Sequence, residues 1–361
     1  MTRLGVVGAT GAVGTVTLEL LAKRGYDDVH AFASARSAGD DVEFGDRTLR
    51  VAEATPESLA AANLDVCFFS VGTGPSSALV PPTAQAGTTC IDKSDAFRLA
   101  EGIPLVVAGV NDHALDDGPV VANPNCSAIQ LACVLKPLYD AAGLRRIRLA
   151  TYQSMSGAGD AGIERLRETT PMEADLAMDW DLDGDEFSEE WKLREETRKI
   201  LELPDLPLQA SCVRVPVLVG HAQAIWIETD ERLTPAQARP IMAAAPHVAL
   251  ADLATPREAA GRDEVLVGRI RRDPTDPNGL AFWTVNDNLR KGAALNAIQI
   301  AELIVGRTRV SAKDDAEPEP VQARATPSPG VLASRSVSPA PTEGRRDQVA
   351  PARRGRAAGS S

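Results

Sequence analysis

Aromatic side chains are scarce in this sequence, at 4% of 361 residues. Any core must therefore be built mainly from Ala, Val, Leu and Ile. No apolar run approaches the roughly 20 residues that a membrane-spanning helix needs, so no membrane association is expected. The segment Met1-Thr2-Arg3-Leu4 runs straight into an apolar strand and lacks the basic-then-apolar layout of a signal peptide. A cytoplasmic location is the expectation. Excess positive charge is absent too. The formal net charge of −12 argues against a nucleic-acid partner. The five cysteines (67, 90, 126, 133 and 212) are odd in number and contain no C-x-x-C, which gives neither a disulfide framework nor zinc spacing. The four histidines are scattered, and no metal site is expected.

The length suggests roughly two domains. Residues 4–7 read as a short buried strand, Gly8 to Gly14 as a glycine-rich turn, and 13–24 as a helix with Val13, Val16, Leu20 and Leu21 on one side. Further strands fit 29–33, 65–71, 88–92 and 105–108. Strands alternating with helices imply an α/β fold, a Rossmann-type doubly wound parallel sheet. After Asn125 the pattern changes. A helix fits 127–142, with Pro137 as an expected kink. Strands fit 146–153, 212–219, 222–228, 262–271 and 280–285, the pattern of a mixed sheet in a second α+β domain. Residues 179–186 read as an acidic exposed loop, and 291–306 as a helix able to pack back onto the first domain. Residues 311–361 hold 8 basic and 6 acidic side chains and no aromatic, in a Pro-, Ser-, Ala- and Arg-rich segment. That composition predicts disorder.

Gly8, Gly11 and Gly14 form a GxxGxxG turn between a strand and a helix. Glycines there let the backbone approach a pyrophosphate, and the helix N-terminus favours its charge. The second strand ends in Ser34-Ala35-Arg36-Ser37, where an NAD-binding fold carries an acid for the ribose hydroxyls. A missing acid and an Arg suit the 2′-phosphate of NADP instead. Asn123-Pro124-Asn125-Cys126-Ser127 places a cysteine where a long helix begins. A helix N-terminus lowers a thiol pKa. Taken alone, a cysteine is more often a small buried hydrophobe, and Cys67, Cys90, Cys133 and Cys212 sit in apolar runs that suit that role.

With these elements stand Tyr152-Gln153, Ser156-Gly157-Ala158-Gly159, Glu189-Glu190-Trp191-Lys192, Glu196-Thr197-Arg198-Lys199-Ile200-Leu201, Arg214-Val215-Pro216-Val217, Gly220-His221 and Asp287-Asn288-Leu289-Arg290-Lys291-Gly292. Through these motifs, in this order, residues 3–308 resemble the aspartate-semialdehyde dehydrogenase family. The resemblance implies an NADP-dependent homodimer that reduces aspartyl phosphate to aspartate semialdehyde, a step toward lysine, methionine, threonine and isoleucine. It implies an NADP-binding domain over 1–124, completed by helix 288–308, and a catalytic and dimerisation domain over 125–287. Cys126 would be the nucleophile, and His221 the acid/base, with a pKa near neutrality suited to that work. Gln153 would orient the acyl group. Arg214 would grip the substrate carboxylate and Glu189 would face its ammonium, with Asn125 beside them. Arg98 and Lys192 would bind the leaving phosphate. The cofactor would lie on Gly8, Thr10, Gly11, Ala12, Val13, Gly14, Ser34, Arg36, Ser37, Thr73, Gly157 and Asn288.

The sequence departs from that family at Lys93 and Asp95, at Gly109, at Gly74-Pro75 and at Asn286. All but Asn286 fall in the expected phosphate and cofactor loops. Three other readings share features with the chain. N-acetyl-glutamyl-phosphate reductase carries Gly-Cys-Tyr where this chain has Asn125-Cys126-Ser127. A CoA-thioester reductase uses the same fold. A non-catalytic NADP-binding paralogue would explain altered loops, but Cys126 and His221 are intact.

Overall fold

The computed structural model describes residues 2–170 and 173–314. Of the segment 311–361 whose composition predicts disorder, residues 311–314 end the helix Leu295–Asp314 and the rest lie outside the described residues.

Six parallel strands form the first sheet, in the spatial order Ala52–Glu53, Val29–Ala33, Leu4–Val7, Val66–Phe69, Thr89–Asp92 and Val120–Ala122. In chain order, strand 1 lies between strands 2 and 4. The direction of winding therefore reverses at the carboxyl ends of Leu4–Val7 and Val66–Phe69, where such sheets open a ligand crevice. Leu4, Val6, Val66, Phe68 and Ile91 are buried in this layer. The helix Leu295–Asp314 returns from the far end of the chain and buries Leu295, Ala297, Ile298, Ile300 and Ala301 against it. A π-helical turn, Arg290–Ala294, leads into that helix.

The second sheet is mixed, in the order Leu208–Arg214, Arg146–Gln153, His221–Glu228, Gly279–Asn286, Val265–Arg272 and Val248–Leu250. The helix Cys126–Ala142 lies on one face and buries Ile129, Leu131, Leu135 and Leu138 with Ile147, Leu149, Ile225 and Phe282. Burying one such side chain is worth roughly 1.5–3 kcal/mol. Tertiary packing therefore holds this helix, and it runs through Pro137 in its interior. Tyr152 and Trp226 are exposed on the sheet, at 37% each.

Three expectations need correction. Leu105–Ala108 is not a strand, and its one ladder contact is a bridge from Leu105 to Ala122. Asparagine side chains take the place of neighbouring strands there. Asn111 accepts from Val107 N and donates to Leu105 O, and Asn296 does the same for Ala108 N and Val106 O. The sixth strand is instead Val120–Ala122. The strand expected over 212–219 runs from 208 to 214, and Pro216, with no N–H for a ladder, lies beyond its end. Residues 179–186 are not simply a loop, because Leu182–Asp183 pairs with Glu186–Phe187 in a hairpin, and Asp179 reaches the site described next.

Candidate active site

Cys126 is the first residue of its helix, and Asn125 is the N-cap, its side-chain oxygen accepting from Ser127 N at 2.8 Å. Cys126 is the one partly exposed cysteine among five free ones. His221 begins the strand His221–Glu228 and is fully buried, with Nε2 3.1 Å from Cys126 Sγ. Its other nitrogen, Nδ1, accepts from Ser154 N at 3.0 Å. That bond assigns the imidazole proton to Nε2, pointing at the sulfur.

The electrostatics differ from the sequence expectation. Burial, then the Glu189 carboxylate, pushes the Cys126 thiol up to about 12, against the opposing pull of Arg98, Arg214 and the Ser127 N–H. The helix terminus does not outweigh desolvation, so the resting sulfur is a thiol. Burial, helped by the Arg214 charge, lowers His221 to about 3 instead of near neutrality. The pair is thus a neutral thiol facing a neutral imidazole that donates from Nε2.

Cys126 opens onto a cavity of about 330 Å³ between the two sheets. Gln153, at the end of its strand, and Asn125 both donate to Glu189 Oε1, at 2.8 and 3.0 Å. Arg214 donates from Nε to Asp179 at 2.7 Å, and its guanidinium lies 4.7 Å from the Trp180 ring centroid. Arg98 pairs with Glu196 at 3.0 Å, and Lys192 with Asp95 at 2.6 Å. Gly157 lies so close to these groups that a Cβ there would come within 3.0 Å of Arg214 Nη1 and of His221 Cε1. Of the residues singled out from sequence, Val13, Arg98, Asn125, Cys126, Gln153, Gly157, Glu189, Lys192, Arg214 and Asn288 share this one cavity wall.

The glycine turn sits at the crevice end of the first sheet. Gly8 has φ +82°, and a Cβ on it would overlap the Ser70 carbonyl. A Cβ on Gly14 would overlap the Gly8 carbonyl oxygen. The helix Ala12–Lys23 has Gly11 as its N-cap, which supplies no side-chain oxygen. Its first N–H groups suit an anion such as a pyrophosphate. Thr10, Ser34 and Arg36 are exposed and Ser37 half-buried, away from the cavity wall. Thr73 begins the helix Thr73–Gln85 and donates to Asp95.

Sequence reasoning missed several members. Lys93 lines the cavity, donates to Thr17 and Ser70 hydroxyls at 2.8 Å each, and is lowered to about 7 by burial against the opposing Asp92 charge. Asn288 was expected at the cofactor, but it is also a hub. Its Oδ1 accepts from Ser154 Oγ at 2.9 Å and from Gly220 N at 2.8 Å, which fixes both flanks of His221. Asp179 and Trp180 sit in an acidic stretch that only tertiary packing brings to Arg214. Among the described residues, no group of three or more His, Cys, Asp or Glu side chains could hold a metal, and no helix is long and apolar enough to cross a membrane.

Comparison with known proteins agrees with this architecture. Residues 3–118 match the semialdehyde dehydrogenase NAD binding domain, and residues 135–291 the semialdehyde dehydrogenase dimerisation domain. The aspartate-semialdehyde dehydrogenase of Corynebacterium glutamicum is 43% identical over 345 residues, spanning 84% of this chain and 100% of that one. That of Bacillus subtilis is 39% identical over 332 residues, 82% of this chain and 95% of the other. The crystal structure of aspartate semialdehyde dehydrogenase II from Vibrio cholerae complexed with ASA superposes with a TM-score of 0.80 at 38% identity, covering 85% of this chain and 98% of that one. A Candida albicans structure of the enzyme with NADP gives 0.71 at 25% identity, covering 85% and 99%. With both halves matched in sequence, the cysteine on the cavity wall and the histidine against its sulfur, the chain belongs to the aspartate-semialdehyde dehydrogenase family.

Proposed function

We propose that this chain is an aspartate-semialdehyde dehydrogenase, interconverting L-aspartyl 4-phosphate and L-aspartate 4-semialdehyde with a nicotinamide dinucleotide, NADP in preference to NAD. The observation that carries the reading is the 3.1 Å approach of the buried His221 Nε2 to Cys126 Sγ, with Cys126 on the cavity wall that Arg214, Glu189 and Lys192 also line.

In the reductive direction Cys126 sulfur attacks the acyl carbon and the carbon–oxygen bond to phosphate breaks. The thiol proton leaves with the phosphate, and a thioester remains. When bound, the dinucleotide supplies the hydride that reduces this thioester. His221 Nε2–H then donates to the oxyanion, a role a neutral imidazole can fill without titrating. Collapse of the oxyanion gives the aldehyde and expels Cys126 as a thiolate. The raised pKa of that sulfur returns it to the thiol by taking a proton from solvent. Arg214 holds the substrate carboxylate and Glu189 its ammonium, while Gln153 and Asn125 keep Glu189 in place. Arg98 and Lys192 face the phosphate. Residues 1–124 with 288–308 serve the dinucleotide, residues 125–287 serve catalysis, and the second sheet joins two copies in a homodimer.

The test is phosphate-dependent reduction of NADP by L-aspartate 4-semialdehyde, with NAD in parallel. Turnover that needs phosphate and prefers NADP is expected. Arg36→Ala should narrow the NADP preference by about 10-fold or more, since charge-assisted bonds are worth roughly 1.5–3 kcal/mol. Retained dinucleotide binding without any turnover would favour a non-catalytic paralogue.

A further inference from the structure

The two cations assigned to the phosphate each carry a carboxylate partner, but the two carboxylates are differently placed. Glu196 is buried, 1% exposed in its side chain, and it also accepts from Asn125 N at 2.6 Å. It is part of the frame under the cysteine helix. Asp95 is not. Its side chain is 31% exposed and Lys192 is 26% exposed, so the pair sits where a solute can reach it. Asp95 Oδ2 lies 2.6 Å from Lys192 Nζ, while Oδ1 accepts from the Thr73 hydroxyl. The Arg98 charge also acts on this carboxylate, and Arg98 in turn acts on Cys126. Asp95 thus puts one negative charge in the field of the two cations that would hold a phosphate beside the nucleophile.

We infer that Asp95 is an internal competitor for the phosphate subsite: its carboxylate takes the Lys192 contact that an incoming phosphate needs, and so weakens phosphate binding. This deepens the functional reading given above and rests on it for the identity of the anion. The physical reason is direct. A phosphate dianion must displace Asp95 from Lys192 and then remain near a like charge, and like charges at short range oppose each other even when partly screened. Lys192 and Lys93 are the lysines on the cavity wall, and Lys93 is already spent on the Thr17 and Ser70 hydroxyls. No second lysine therefore stands ready to take the role of Lys192. Asp95 is held well below the usual carboxylate range, at about 2, by Lys192, Thr73 and Arg98 acting against burial. It stays charged throughout the neutral range, so the competition is constant and not a pH switch.

The test uses Asp95→Asn, which removes the charge while keeping the shape and an oxygen for Thr73. Titration calorimetry of the full-length protein with inorganic phosphate gives Kd, and the phosphate-dependent reduction of NADP by the semialdehyde, with phosphate varied, gives KM. The Asp95–Lys192 pair is partly open to solvent, so breaking it costs little, and loss of the like charge favours the anion. Phosphate Kd and KM should therefore fall roughly 3- to 10-fold, with KM for the semialdehyde unchanged. Raising the ionic strength should shrink the difference between wild type and variant. Equal or weaker phosphate binding in Asp95→Asn would overturn the inference and make Asp95 a residue that positions Lys192. Tighter phosphate binding with no phosphate-dependent turnover in either protein would uphold the competition and contradict the proposed reaction instead.

Discussion

At the scale of single residues, the site is governed by burial as much as by charge. Lys93 shows this most clearly. Burial lowers it to about 7 from an ordinary 10.5. The sign of the consequence is fixed. Below pH 7 the lysine is charged in both folded and unfolded chains, and the folded protein bears the full desolvation cost. Between about 7 and 10.5 the unfolded chain binds the proton that the folded one has released, so stability rises with pH. Above 10.5 the cost is gone. Lys93→Met should therefore raise Tm most at pH 6 and by progressively less toward pH 10, as read by thermal unfolding at both. An equal change at the two pH values would show that the shift is absent. Neither the Lys93 shift nor the lowered His221 was legible in the sequence, because both depend on which side chains pack around them. Cys126, Gln153, Arg214 and His221 were legible, because each sits in a short contiguous motif. Asp179 and Trp180 carry no such signal, since they reach Arg214 only through tertiary structure.

At the scale of elements, periodicity and glycine placement revealed most of the first sheet, and asparagines concealed the rest. The run 105–108 is apolar enough to read as a strand, but Asn111 and Asn296 satisfy its backbone in place of neighbours. The helix Thr73–Gln85 was invisible because Pro81 and Pro82 lie inside it, and proline argues against a helix interior. The glycine turn makes a sharper claim. A Cβ at Gly14 would overlap the Gly8 carbonyl oxygen, so helix and turn must separate to admit it. Gly14→Ala should weaken dinucleotide binding at least 10-fold and lower Tm by several degrees, in line with a core overpacking cost of roughly 1–3 kcal/mol. Unchanged affinity in a fluorescence titration with NADPH would mean that the turn does not hold the cofactor. Gly157→Ala presses on Arg214 and His221 as well, and should lower kcat in the semialdehyde assay.

At the scale of the whole molecule, the cavity lies where the two layers meet. The helix Leu295–Asp314 packs onto the first sheet through Leu295, Ile298 and Ile300, in one cluster with Leu4 and Val6. The second sheet leaves Tyr152 and Trp226 exposed at 37% each, and the Tyr152 and Trp283 rings lie 5.5 Å apart, tilted by 44°. Exposed aromatic side chains on a sheet suit an association face. Light scattering should give twice the chain mass, and Trp226→Glu should shift the protein toward monomer at micromolar concentration. A wild-type monomer would remove the second sheet from that role.

In the proposed reaction Cys126 carries the acyl group between phosphate release and reduction. The most direct measurement is intact-mass and peptide mass spectrometry after mixing the protein with L-aspartyl 4-phosphate, without any dinucleotide, and quenching in acid. One aspartyl adduct per chain is expected, located on the peptide that contains Cys126 and absent from Cys126→Ala. An adduct on Cys133, or none on the wild-type protein under conditions where it turns over, would contradict that role.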